Sequence, residues 1–139
     1  MNEEQPSLPA WELSEPSPPP VIVLGMHNSG TTLLAQILHR HGLFLGANAG
    51  MSESYFFSHF IANRIVLGGQ EAAWTQLPIM GVDEVLSHQR AVERLIRDHW
   101  RIDYIQWGYD GMGPWGFKDP RSCILLPLYL QIFPEAILL

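Results

Sequence analysis

The chain has 139 residues, 47% of them apolar and 16% charged, which is enough apolar material for one buried core and excludes a disordered chain. Its formal charge of −6 argues against a broad nucleic-acid footprint. The single cysteine, Cys123, excludes an internal disulfide and a cysteine-rich zinc site, and fits a reducing compartment.

Residues 1–20 read as a flexible, extended leader rich in Pro, Ser and Glu. Glu3, Glu4, Glu12 and Glu15 lie there with no Lys or Arg, and Pro6, Pro9, Pro16 and Pro18 to Pro20 oppose regular structure. The leader has neither the basic start nor the apolar run of a signal peptide. No stretch approaches the roughly 20 apolar residues of a membrane span. A cytoplasmic protein without membrane or nucleic-acid partners is the expectation.

Residues 21–139 alternate strand and helix. Val21 to Leu24 is a short apolar run suited to a strand buried on both faces of a parallel sheet. A turn bounded by Gly25 and Gly30 follows, and Thr31 and Thr32 open a helix with Leu33, Leu34, Ile37 and Leu38 expected on its inner side. Arg40 and His41 occupy its last turn, and Gly42 stops it. His39 and His41 suit that helix end as cations, and no metal centre is expected.

Leu43 to Leu45 is a candidate second strand. Ser52 to Leu67 reads as a helix with Phe56, Phe57, Phe60, Ile61 and Ile65 inward, ended by Gly68 and Gly69; Glu71 to Leu77 is too mixed to assign. From Asp83 a long helix carries Val85, Leu86, Val92, Leu95, Ile96 and Ile102 at helical period, with Glu93 facing Arg97 and Arg90 and Arg94 on the polar side. His88 and His99 are expected at its surface or boundary. Trp74, Trp100, Trp107 and Trp115 read as core or rim.

Tyr109 to Pro114 is a turn-rich loop. Trp115 to Lys118 reads as a strand delivering Asp119-Pro120-Arg121 to its end. Ile124 to Phe133 is a predicted helix with Pro127 in its first turn, Cys123 is expected to be a small buried hydrophobe, and Ala136 to Leu139 is a final strand. The order of elements implies an α/β doubly wound parallel sheet with ligands beyond the C-terminal strand ends. Both the Asn28 to Thr32 turn and the Lys118 to Arg121 segment belong at that edge.

The spacing Gly25-x4-Gly30-Thr31-Thr32 copies a phosphate loop, except that Thr31 stands where an NTPase carries lysine. Together with Trp115-Gly116-Phe117-Lys118-Asp119-Pro120-Arg121 and Phe133-Pro134-Glu135-Ala136, it resembles the sulfotransferases that use 3′-phosphoadenosine 5′-phosphosulfate (PAPS). Asn28 stands where that family usually has a basic residue. The resemblance implies a P-loop-like sheet, incomplete at its C-terminal side, because the family's 3′-phosphate-binding Arg and Ser would follow Leu139. It also implies transfer of a sulfonate from PAPS to a hydroxyl or amine.

Carried over residue by residue, the resemblance gives His27, Asn28, Ser29, Gly30, Thr31, Thr32 and Arg121 to PAPS, and Lys118 to the charge of the transferred group. Arg121 either meets an anion or pairs with Asp119 and orients its loop. Glu53 is the candidate base, with His59 as a fallback. Two alternatives stand beside this reading. One is a P-loop kinase or NTPase with Asp119 as its magnesium carboxylate. The other is a non-catalytic truncated domain that forms homo-oligomers or is completed by a C-terminal fragment.

Overall fold

The computed structural model describes residues 18–25, 30–46, 54–66 and 80–139, with Thr31, Ile65 and Val66 described by their backbone alone. The leader up to residue 17, His27, Asn28, Ser29, Glu53, Trp74 and the stretch from Glu71 to Leu77 lie outside the described residues.

Three short strands form a parallel sheet: β1 (Val21–Val23), β2 (Gly116–Lys118) and β3 (Ile137–Leu138), in the order β2-β1-β3. Val21, Ile22 and Val23 stand opposite Gly116, Phe117 and Lys118, while Val21 and Ile22 stand opposite Ile137 and Leu138. A parallel neighbour needs a crossover, and helices supply it. Gly116 is required by the close approach of β1, since a Cβ there would lie 2.1 Å from the Val21 carbonyl oxygen.

Helix α1 (Thr31–Arg40) follows β1. Next come α2, made of Phe56–Ala62 with wide π-helical turns continued by Asn63–Val66, and the short α3 (Val82–Leu86). Helix α4 runs through Gln89–Leu95, a π-helical segment Ile96–Trp100 and Arg101–Gln106. Helix α5 (Ser122–Ile132) connects β2 to β3. The described chain is therefore mixed α/β. No helix among the described residues is long and apolar enough to cross a membrane.

Side chains alternate across a strand, so each face of the sheet collects its own partners. Ile22 and Phe117 point into the larger core with Phe57, Ile61, Val85, Ile96, Trp100, Leu125, Leu128 and Phe133. On the other side Val21 packs with Ala35, Leu38, Leu43 and Leu45. The larger core is aromatic at its centre: Phe57 stacks on Phe117 with ring centroids 3.8 Å apart, and Trp100 meets Trp115 at 4.2 Å. Each such pair adds about 0.5–1.5 kcal/mol beyond the apolar area it buries. Tyr104 threads the same core, donating its hydroxyl hydrogen to the Gly116 carbonyl at 2.7 Å. Burial pushes its phenol well above the ordinary tyrosine range.

Several expectations are corrected here. Leu33, Leu34 and Ile37 are exposed, Leu33 by 62%. The apolar face of α1 is wide, and the Ala35–Leu38 edge of it is the part that meets Val21. Ile102 is likewise exposed, and Phe60 is only half-buried. Leu43 to Leu45 forms a single bridge between Phe44 and Trp115 instead of a strand. Phe44 donates to the Pro114 carbonyl, and Pro114 has no N–H with which to extend the pairing.

The long helix expected from Asp83 is interrupted at Ser87 and His88. Glu93 accepts a hydrogen bond from Gln89 at 2.9 Å, and Arg97 lies 3.5 Å from Asp98. Helix α5 starts at Ser122, so Pro127 falls in its second turn and forgoes the bond to the Cys123 carbonyl. Cys123 is exposed: the inward stripe is Ser122, Leu125, Leu128, Tyr129 and Ile132, and Cys123 faces away from it. Trp100 and Trp115 are core residues, whereas Trp107 is exposed.

Two stability predictions follow from this packing. Phe57→Ala should cost about 3–5 kcal/mol, while Leu33→Ser should change stability by no more than about 0.5 kcal/mol; equilibrium urea denaturation measures both. Burial raises the Asp103 carboxyl above its ordinary value, against a lowering contribution from Trp107. A raised folded-state value means stability that is present below the unfolded-state range and lost as pH rises through the folded value. Asp103→Asn should therefore flatten the loss of the urea midpoint as pH rises above the ordinary carboxylate range.

Candidate functional site

Because β1 and β2 are parallel and in register, their C-terminal ends lie side by side, with Val23 opposite Lys118. The chain leaves β1 into α1 on one face of the sheet and leaves β2 into α5 on the other. The two connections thus leave neighbouring strand ends towards opposite faces, the kind of position at which open α/β sheets bind ligands.

The N-terminus of α1 sits at that edge. Gly30 precedes it with φ of 88°, a left-handed conformation that side chains resist, and its carbonyl accepts the first helical bond from Leu34 at 3.1 Å. The amides of the first turn have no acceptor within the helix, and the helix dipole adds partial positive charge.

Lys118 reaches the same turn. Phe117 points into the larger core, so its neighbour Lys118 must point to the α1 side. There its Nζ donates to Thr32 Oγ1 at 3.1 Å. Lys118 is only 4% exposed, whereas Thr32 is at the surface. A buried ammonium needs polar company, and the Thr32 hydroxyl supplies part of it. The structure thus brings together Gly30, Thr32 and Lys118, along with the backbone of Thr31.

Arg121 is turned the other way. Its Nε donates to Asp119 Oδ1 at 2.9 Å and its Nη2 to Asp119 Oδ2 at 2.7 Å. Nη2 also lies 3.3 Å from the Ser58 carbonyl, and Nη1 donates to Asn63 Oδ1. Asp119 further accepts from the Ser58 hydroxyl at 2.6 Å and from the Arg121 main-chain amide at 2.8 Å. Both members of the pair are at most 2% exposed. The pairing of Arg121 with Asp119, one of two roles open from the sequence, is therefore present.

This network locks the segment after Lys118 to α2 and starts α5, since Ser122 donates to the Asp119 carbonyl at 2.9 Å. Tyr129 lies close by on α5. Burial drives its phenol well above the ordinary range, the Asp119 charge adds to the rise, and Arg121 opposes it. Ser58 and Asn63 were missed by sequence reasoning. Their signal was weak: both lie on the helix face next to the inward Phe57 and Ile61, the place for polar residues that meet a buried charge.

His59, on the exposed side of α2, packs its ring at a tilt against Tyr55 with centroids 4.5 Å apart and contacts Asn63 at 3.3 Å. Among the described residues no group of three or more His, Cys, Asp or Glu is arranged to hold a metal ion.

Removing one partner of the buried pair strands the other charge. Asp119→Ala should destabilise the fold by about 3–5 kcal/mol, and adding Arg121→Met should recover part of the loss, as read from a double-mutant cycle of urea midpoints. No protein-family model matches the chain, and neither a curated protein nor a solved structure matches it.

Proposed function

We propose that the chain is a sulfotransferase-like protein of P-loop-like fold that binds PAPS at the C-terminal edge of its sheet and transfers a sulfonate to a hydroxyl or amine. The observation that carries this reading is the hydrogen bond from Lys118 Nζ to Thr32 Oγ1. It joins, across 86 residues of sequence, the two motifs on which the resemblance rests.

The donor set fits an anionic group. Main-chain amides of Thr31 and Thr32 lie at a helix N-terminus, and an ammonium stands next to them. PAPS brings a sulfonate attached to a phosphate leaving group, and its transfer spreads negative charge over oxygens. Lys118 would neutralise that charge without forming a covalent intermediate, since a fixed cation in a site shielded from water acts through electrostatic preorganisation. His27, Asn28 and Ser29 would complete the loop around the phosphate. Arg121 would serve by holding the segment next to Lys118. Glu53 remains the candidate base in this reading.

The kinase or NTPase alternative is less well supported. It asks Asp119 to hold magnesium, whereas both carboxylate oxygens are engaged by Arg121 and Ser58. The non-catalytic alternative draws on a specific feature. Leu33, Leu34 and Ile37 on α1 and Ile137, Leu138 and Leu139 around β3 are exposed, which suits a partner or a completing fragment.

Thermal unfolding with adenosine 3′,5′-bisphosphate, the desulfonated product, tests the proposal. A ligand at 100 times its Kd should stabilise the protein by about 2.7 kcal/mol. Lys118→Met should abolish that stabilisation. A response to ATP with magnesium and none to the bisphosphate would overturn the sulfotransferase reading.

A further inference from the structure

Three side chains on α2, spaced one turn apart, form a file from Tyr55 through His59 to Asn63, and Arg121 closes it from the side of the buried ion pair. The chemistry of the donors fixes how this file is oriented. Arginine has only N–H donors, so the atom of Asn63 facing Arg121 Nη1 must be the amide oxygen. The amide nitrogen of Asn63 is then the atom turned towards His59 Nδ1, at 3.3 Å. An amide NH2 can donate and cannot accept. His59 Nδ1 must therefore offer a lone pair, which places the hydrogen of the neutral ring on Nε2.

We infer that Arg121, acting through Asn63, holds His59 as the Nε2–H tautomer, so that the ring offers a hydrogen-bond donor at Nε2 and is not a proton-abstracting base. Tyr55 restrains the ring from the other side, its plane tilted 38° to the imidazole. Four groups thus fix one exposed imidazole: a tilted phenol, an amide, a guanidinium and, behind the guanidinium, the Asp119 carboxylate that keeps Arg121 in place.

In this state the only basic lone pair of the ring is the one engaged by Asn63. The exposed nitrogen already carries its hydrogen. A reaction that needs a base would have to draw it from another residue. The tautomer does not depend on the sulfonate-transfer reading.

Long-range proton–nitrogen correlation spectra of the imidazole rings, recorded at about pH 8.5 so that histidines are neutral, read the tautomer without any nucleotide. The His59 signals, assigned by their loss in His59→Gln, should show the Nε2–H pattern. Asn63→Asp is the informative variant, because a carboxylate still pairs with Arg121 but faces Nδ1 as an acceptor. It should move the hydrogen to Nδ1 and reverse the pattern. A wild-type His59 in the Nδ1–H form would overturn the inference. So would a pattern unchanged in Asn63→Asp, provided its circular dichroism is native. Asn63→Ala should relax His59 to the mixed tautomers of a free imidazole, and a ring as strongly biased as the wild type would count against control by Asn63. Failure of the bisphosphate to bind would sink the nucleotide reading and leave these spectra untouched.

Discussion

A carboxylate and a guanidinium, both nearly sealed from water, sit where three elements converge. Asp119 ends the segment from β2, Ser58 and Asn63 belong to α2, and Arg121 and Ser122 open α5. Burying a charge is costly unless it is paired and hydrogen-bonded, so every one of these contacts must be kept for the pair to persist. That requirement turns a short loop into a fixed joint. It also decides where the last residue of β2 can point.

The position of Lys118 follows from this joint and from strand alternation. Phe117 is drawn into the aromatic core by Phe57, and Lys118 is sent to the opposite face beside α1. A long, flexible ammonium is usually left in water. Here it is held at the first turn of a helix, beside backbone amides. The apolar core on one face and the polar junction on the other are thus two consequences of a single strand of three residues.

The same joint extends outwards along α2. Arg121 has donors to spare after binding Asp119, and one of them fixes the Asn63 amide. A buried charge pair with no exposure of its own therefore reaches a surface imidazole through a single neutral side chain. Such a device needs no movement and no metal. It needs only that arginine cannot accept a hydrogen bond.

The sequence by itself determined the alternation of strand and helix, the helix opened by Thr31, the strand ending at Lys118 and the Phe-rich inner face of α2, because each is written in local periodicity and turn chemistry. It also marked Lys118 and Thr32 as residues of interest, since both lie at ends of such elements. The tertiary structure decided what periodicity leaves open. The apolar face of helix α1 is wide, from Leu33 round to Ala35, so which part of it turns inward depended on which side chains Val21 could meet. Pro114 cut the expected strand at Phe44 to one bridge. The choice of Arg121 between an anion and Asp119 depended on Ser58 and Asn63, some sixty residues away in sequence. Contacts of that range carry no local signal, and only folding brings their partners together.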